Sequence, residues 1–229
     1  MAPPGADLPR FTFVDHEDRD SISGTVREGT RNCLQTARHR IKIVSPDFVP
    51  NACAAKALGQ ARRAGIGVEL VTHSLASTDE PLVDVGYQHQ LKELLEMGVD
   101  VREISSGLSV THRRMGIFGH RLGALHMKNA VVDEAEGFLG SMHFDARSAR
   151  LNTELGLIIQ SPEMAAQLQS VADAGSVYRL RLNPTTRDIE WVERDDTGAE
   201  RALADAAQTG GGRCLKLWLL SPFEPEGEL

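Results

Sequence analysis

A histidine and a lysine two residues apart, His126 and Lys128, are followed after four residues by Asp133 and, six residues further on, by Gly140-Ser141. On a strand, residues two apart project to one face, so this spacing sets an imidazole and an ammonium side by side. That is how a phosphate site is built. The imidazole can serve as nucleophile or general acid, the ammonium can neutralise a phosphoryl oxygen, and a small hydroxyl residue behind a glycine can approach and donate a hydrogen bond. The bland alternatives are two surface residues on an edge strand for His126 and Lys128, and a plain turn residue for Ser141.

Chemistry of this kind needs a rigid frame, and the surrounding pattern supplies one. Ile41–Ser45 and Gly67–Thr72 read as short strands, with an Ala-rich helix over Ala52–Arg63 between them. A helix over Val83–Met97 and a strand over Val99–Ile104 follow, and Gly65 and Gly98 stand where helix C-caps are wanted. Upstream, Ser21–Arg38 has helical spacing. Strands alternating with helices of this length predict βαβ units with right-handed crossovers and an α/β fold with a largely parallel sheet.

Residues 105–122 lack periodicity and read as a loop. Three strand-like runs then follow closely, Ala124–Val132, Gly137–Met142 and Glu154–Gln160, before a helix over Glu163–Ala174. Val177–Leu182 and Ile189–Glu193 read as a hairpin around Asn183-Pro184. The proline-rich residues 1–10 are expected to be a disordered leader, 11–182 the main domain, and 183–229 the hairpin, an acidic linker over 195–212 and a short apolar segment, Leu215–Leu220, packed on the domain.

The run His126-Met-Lys128-Asn-Ala-Val-Val-Asp133 with Gly140-Ser141 resembles the HxKx4D and GS signature of the phospholipase D superfamily. Asp145-Ala-Arg147-Ser148-Ala-Arg150-Leu-Asn152-Thr-Glu154 is similar to the segment that follows it in bacterial cardiolipin synthases and related phosphatidyltransferases. Ser45-Pro-Asp-Phe-Val-Pro50, Thr72-His-Ser-Leu-Ala-Ser-Thr-Asp79 and Gly86-Tyr87 match the same subfamily, so the resemblance runs over roughly residues 11–229.

The resemblance implies a layered α/β unit, here a mixed, largely parallel central sheet flanked by helices, and a two-step transfer at a phosphodiester through a phosphohistidine, with no metal and no cofactor. It assigns His126 as nucleophile or general acid, Lys128 to phosphate neutralisation and Ser141 to a hydrogen bond near the phosphate. Asp133 joins them as the third motif residue; five residues from Lys128, it faces the other side of an ideal strand and suits support better than reaction. Glu154 is expected to hold the imidazole's other nitrogen, where a carboxylate fixes the tautomer and stabilises the cation; a solvated strand-end carboxylate is the alternative.

Three positions depart from the subfamily. His143 stands where an asparagine phosphate ligand is usual, Asp47 replaces a tyrosine and His73 an asparagine. His143 can still donate a hydrogen bond when suitably protonated. Active members carry two HxKx4D motifs per active site and this chain has one, so it resembles the C-terminal half of such an enzyme. A homodimer pairing two His126 side chains, a partner chain bearing a second motif, and an inactive remnant or regulatory partner all remain open, as does a dimeric single-motif phosphodiesterase or nuclease. The implied substrate is a glycerophospholipid such as phosphatidylglycerol, met peripherally at the inner face of the cell membrane from a cytoplasmic location.

Composition narrows the classes further. With 41% hydrophobic and 25% charged residues in 229, the chain reads as one ordinary globular domain with a small appendage. Its net charge is −7, of which the ten acids and four bases of 188–229 contribute −6. That balance makes nucleic acid an improbable main partner, since such domains carry a basic surplus. Cys33, Cys53 and Cys214 form neither a disulfide framework nor a zinc spacing and read as reduced thiols. No run approaches the roughly 18 to 20 apolar residues of a membrane span, and the first ten residues lack the order of a secretory signal.

Overall fold

The computed structural model describes residues 10–15, 26–46, 48, 50, 52–73, 90–104, 126–142, 144, 154–173, 177–194 and 198–203. The strands are β1 (Arg10–Asp15), β2 (Arg40–Val44), β3 (Gly67–His73), β4 (Asp100–Ile104), β5 (Lys128–Val132), β6 (Glu136–Gly140), β7 (Leu155–Gln160), β8 (Val177–Leu182), β9 (Ile189–Arg194) and β10 (Glu200–Leu203). The helices are α1 (Val26–Gln35), α2 (Ala52–Arg63), α3 (helical residues 90–96) and α4 (Pro162–Asp173). Among the described residues the strands form one sheet, ordered β1-β7-β6-β5-β2-β3-β4-β8-β9-β10.

The fold is the expected layered α/β arrangement with a mixed sheet, but the sheet is not largely parallel. Only β2–β3 and β3–β4 pair parallel, and the other seven pairings are antiparallel. Connection length accounts for the pairs that are joined directly by short turns. Parallel neighbours need a long crossover, which α2 and the segment containing α3 provide, whereas β5–β6 and β8–β9 are joined by tight turns that admit only antiparallel pairing. Two strands escape the sequence pattern. β1 closes one edge against β7, far away in the chain, and β10 pairs with β9 from within the stretch 195–212 that reads as a linker.

The two sheet faces carry different cores. On one, Ile41, Ile43, Leu70, Val101, Ala130 and Phe138 pack against Val26 and Cys33 of α1, Leu58 of α2, and Leu91 and Leu94 of α3. On the other, Val131 and Ile159 meet Ala165 and Leu168 of α4. Serine and proline start α4 as sequence rules require: the Ser161 hydroxyl accepts the Met164 N–H, and Pro162 stands at the first helical position.

Gly65 and Gly98 adopt positive φ, +84° and +80°, and turn α2 into β3 and α3 into β4. Beneath the central strands Lys42 and Glu69, each 3% exposed, form an ion pair at 3.3 Å that Arg40 and Arg102 extend.

Candidate active site

β5 runs antiparallel to both β2 and β6, which sets Lys128 near the end of β2 and opposite Gly140. His126 lies just before β5 and is exposed, while Lys128 is 4% exposed. The Lys128 Nζ stands 3.3 Å from both Nδ1 and Nε2 of His126. The predicted pairing of imidazole and ammonium is therefore present, although His126 precedes the strand rather than sitting in it. An ammonium so placed donates to the ring nitrogen that carries no proton.

Ser141 follows β6, where its N–H donates to the Leu155 carbonyl at 2.9 Å and extends the β6–β7 ladder by one bond. Its hydroxyl donates to Glu154 Oε2 and accepts the Leu155 N–H at 3.0 Å. The expectation that Glu154 holds the His126 ring is thus corrected: this buried carboxylate takes the Ser141 hydroxyl instead. A phosphate recruiting that hydroxyl would have to displace Glu154, which would then be available to a neighbouring cation.

The glycine before Ser141 has a steric cause. A Cβ at position 140 would lie 2.6 Å from the Leu155 carbonyl oxygen and 2.6 Å from the Phe138 ring. Lys128, Gly140 and Gly156 form one cross-strand row, so two positions beside the lysine carry no side chain. Beyond Ser141, Phe144 bridges to Phe48 in the segment after β2, with ring centroids 6.0 Å apart, and meets Phe138 edge-on at 6.5 Å. These contacts tie the segments after β2 and β6 together beside the site.

Asp133 is not brought to this group. It lies at the far end of β5, five residues or roughly 16 Å of extended chain from Lys128. In a turn at φ +48°, its carboxylate accepts the N–H groups of Arg38 at 2.7 Å and of His39 and Arg40 at 2.8 Å each. Burial raises the acid's pKa, but the amides of Arg40, Arg38 and His39 outweigh it and hold the carboxyl below its ordinary range. Asp133 thus anchors the start of β2, which corrects its grouping with the catalytic pair. His143, Asp47 and the run 145–153 lie outside the described residues.

Two buried polar residues of the sheet escaped sequence reasoning. Glu103, fully buried, shares a cross-strand pair with Thr72 at the β3 and β4 ends and accepts the Trp191 indole N–H at 2.8 Å. The signal for it was an acid two residues from Val101, where the strand period calls for an apolar residue. Asn129, 1% exposed, adjoins Lys128 on the opposite face, and both polar atoms of its side chain lack a hydrogen-bond partner. A polar residue inside an apolar strand run was its signal. Among the described residues no group of three His, Cys, Asp or Glu side chains could hold a metal ion, and no helix is long and apolar enough to cross a membrane.

Comparison with known proteins agrees with this architecture. Residues 30–174 match the family model described as the PLD-like domain of cardiolipin synthase. Cardiolipin synthase C of Escherichia coli is 37% identical over 163 residues, covering 68% of this chain and 34% of that protein, and cardiolipin synthase A of Proteus mirabilis is 28% identical over 169 residues, covering 74% and 30%. The chain thus spans about a third of the length of these relatives.

Among solved structures, phosphatidylserine synthase of Haemophilus influenzae superposes with a TM-score of 0.60 at 12% identity, over 96% of this chain and 47% of that one. Nuc of Salmonella typhimurium, a phospholipase D family member, superposes with a TM-score of 0.53 at 18% identity, over 72% and 93%. At such identities these two establish the shared fold alone. The family model covers 145 of 229 residues and includes the whole His126-to-Glu154 segment, so this chain belongs to the phospholipase D-like domain family of the cardiolipin synthases.

Proposed function

We propose that this chain is a phospholipase D-type phosphatidyltransferase half-enzyme that acts on the phosphodiester of a glycerophospholipid such as phosphatidylglycerol. His126 attacks phosphorus, the bond to the departing alcohol breaks, and the alcohol oxygen takes a proton from a second motif histidine. An incoming alcohol, deprotonated by that histidine, then displaces His126 from phosphorus. Lys128 neutralises a phosphoryl oxygen throughout.

The observation that carries the reading is the arrangement at the start of β5: the Lys128 ammonium 3.3 Å from both His126 ring nitrogens, in a cross-strand row where Gly140 and Gly156 add no side chain beside the lysine. The second histidine comes from the mate of a homodimer or from a partner chain. A twofold interface would bring His126 of each copy to one pocket, because such an interface is made of the same patch on both subunits. The enzyme works at the inner face of the cell membrane, which it meets from the side.

The test is transfer and hydrolysis of phosphatidylglycerol by the purified chain, with His126→Ala beside it and the oligomeric mass measured in the same preparation. Activity in a dimer that vanishes with His126→Ala supports the shared site. A folded chain inactive alone and after addition of a second motif-bearing chain overturns it and leaves an inactive remnant. Cleavage of DNA in place of lipid would make it the single-motif nuclease.

A further inference from the structure

Ser141 is exposed at the end of β6, one residue past Gly140, which faces Lys128 across the β5–β6 ladder. Glu154, hydrogen-bonded to it, is buried at 7% exposure. A ligand arriving from solvent therefore meets the serine before the carboxylate. A hydroxyl has one proton to donate and two lone pairs that accept. Here the proton goes inward to Glu154 Oε2, with the Leu155 carbonyl at 3.4 Å as the poorer alternative, and the oxygen accepts the Leu155 N–H at 3.0 Å. What remains for solvent is a lone pair. A phosphoryl oxygen, itself an acceptor, gains nothing from it.

The carboxylate is thinly held. Among the described residues the Ser141 hydroxyl is the one hydrogen-bond donor to Glu154, and it is neutral. A carboxylate out of water is normally met by a cation or by several donors. Asp133, with its three backbone amides, shows that arrangement in the same chain. The serine, in contrast, is fixed by backbone: its own N–H donates to the Leu155 carbonyl at 2.9 Å while its oxygen takes the Leu155 N–H. Turning the hydroxyl proton outward keeps both of these contacts and gives up the bond to Glu154 alone.

We infer that the Ser141–Glu154 hydrogen bond is an autoinhibitory latch on the phosphate site. In the closed state Glu154 takes the proton that a phosphoryl oxygen needs and sets a carboxylate against the entering anion. The latch opens by rotation of one hydroxyl about its Cβ–Oγ bond, after which Ser141 donates to a phosphoryl oxygen beside Lys128; no covalent bond forms or breaks. This inference rests on the proposed reading of His126 and Lys128 as a phosphate site.

The test uses inorganic phosphate, titrated calorimetrically into the full-length chain and its variants after circular dichroism has shown equal folding. Glu154→Gln removes the carboxylate and leaves a weaker acceptor, and phosphate affinity is expected to rise by roughly tenfold or more, the worth of one charge-assisted hydrogen bond. A gain of affinity is a response that a merely structural role for Glu154 would not produce. Ser141→Ala is expected to leave the wild-type affinity nearly unchanged, because its proton is already committed, and to cancel most of the gain when combined with Glu154→Gln. Lys128→Ala should abolish the binding, which places it at this site. If the amide variant does not fold, Glu154→Asp carries the test, since it draws the carboxylate back from the hydroxyl by one methylene and should also raise affinity.

Phosphate binding unchanged or weakened in the Glu154 variant, a loss from Ser141→Ala as large in wild type as in Glu154→Gln, or binding that survives Lys128→Ala overturns the latch. Phosphatidylglycerol transfer is followed in the same preparations. Normal transfer without the affinity gain removes the latch and leaves the transferase reading, whereas the gain in a chain that transfers nothing leaves the latch and removes the transferase.

Discussion

At the start of β5 polar side chains meet one another, Lys128 against His126 at 3.3 Å and Ser141 against Glu154, whereas at its end Asp133 gives its carboxylate to three backbone N–H groups. Five residues separate the two arrangements within one sequence motif. A carboxylate filled by rigid backbone holds a shape and keeps little capacity for substrate. Side chains paired through rotatable bonds can change partners when a phosphate enters. The motif therefore joins a reactive end to a structural end, with the buried strand between them fixing their distance.

The sharpest way to break this contrast is to remove His126. His126→Ala is expected to lower phosphatidyl transfer by about 10³-fold or more, since only binding and electrostatic stabilisation remain. Because the ring is exposed, the unfolding free energy from urea titration should change by less than about 0.5 kcal/mol. A variant that unfolds would show that the reactive end is structural as well.

Gly140→Ala tests how closely β6 and β7 approach each other beside Lys128. The added methyl would meet the Leu155 carbonyl and the Phe138 ring, and the expected loss is about 3 kcal/mol in denaturant unfolding. Unchanged stability would mean that β6 and β7 are not so closely apposed.

Asp133→Ala leaves three amides at the entry to β2 without their acceptor and should cost about 2 kcal/mol, with little change in activity per folded molecule. A selective loss of activity in stable protein would return Asp133 to the reactive end. The pH dependence has a definite sign. The folded pKa of Asp133 lies below its ordinary value of 3.8, so the stability it adds is complete above that value and is lost as pH falls through the lowered folded pKa. Asp133→Asn should flatten the acid side of the stability profile and leave the neutral region parallel to wild type.

The smallest effect has the opposite sign. Asn129→Leu exchanges two unpartnered polar atoms for an apolar group of similar shape and should raise stability by about 1 kcal/mol. A loss instead would show that the amide has a partner on that face, bringing the reactive end of β5 through the sheet.

Much of the fold was legible. α2, β2 and β3 lie close to where local periodicity puts them, because each strand carries apolar residues and α2 is rich in alanine and free of proline, which outweighs its one interior glycine, Gly59. The antiparallel majority was not legible, since strand pairing depends on which connections are short and the spacing of apolar residues is the same in either direction. β1, whose Phe11-Thr12-Phe13-Val14 run has strand composition but a partner far away in the chain, and β10, whose own sequence carries little strand signal, form because edges of the sheet offer them unpaired N–H and carbonyl groups. At the site, His126 with Lys128 could be found because a period of two brings them together locally.

The sequence by itself determined which residue types are available for phosphate chemistry and that two of them must stand together, for a strand leaves side chains at that spacing no other relation. It also determined the family, through a motif and its flanks. Only the tertiary structure decided that Asp133 secures the entry to β2, that Glu154 holds Ser141 in place of His126, and that Glu103 and Asn129 are buried within the sheet. Each of these contacts joins residues from different elements, or from the two ends of one element. Their partners are chosen by sheet register and helix packing, which involve the whole chain at once, and no local spacing encodes them.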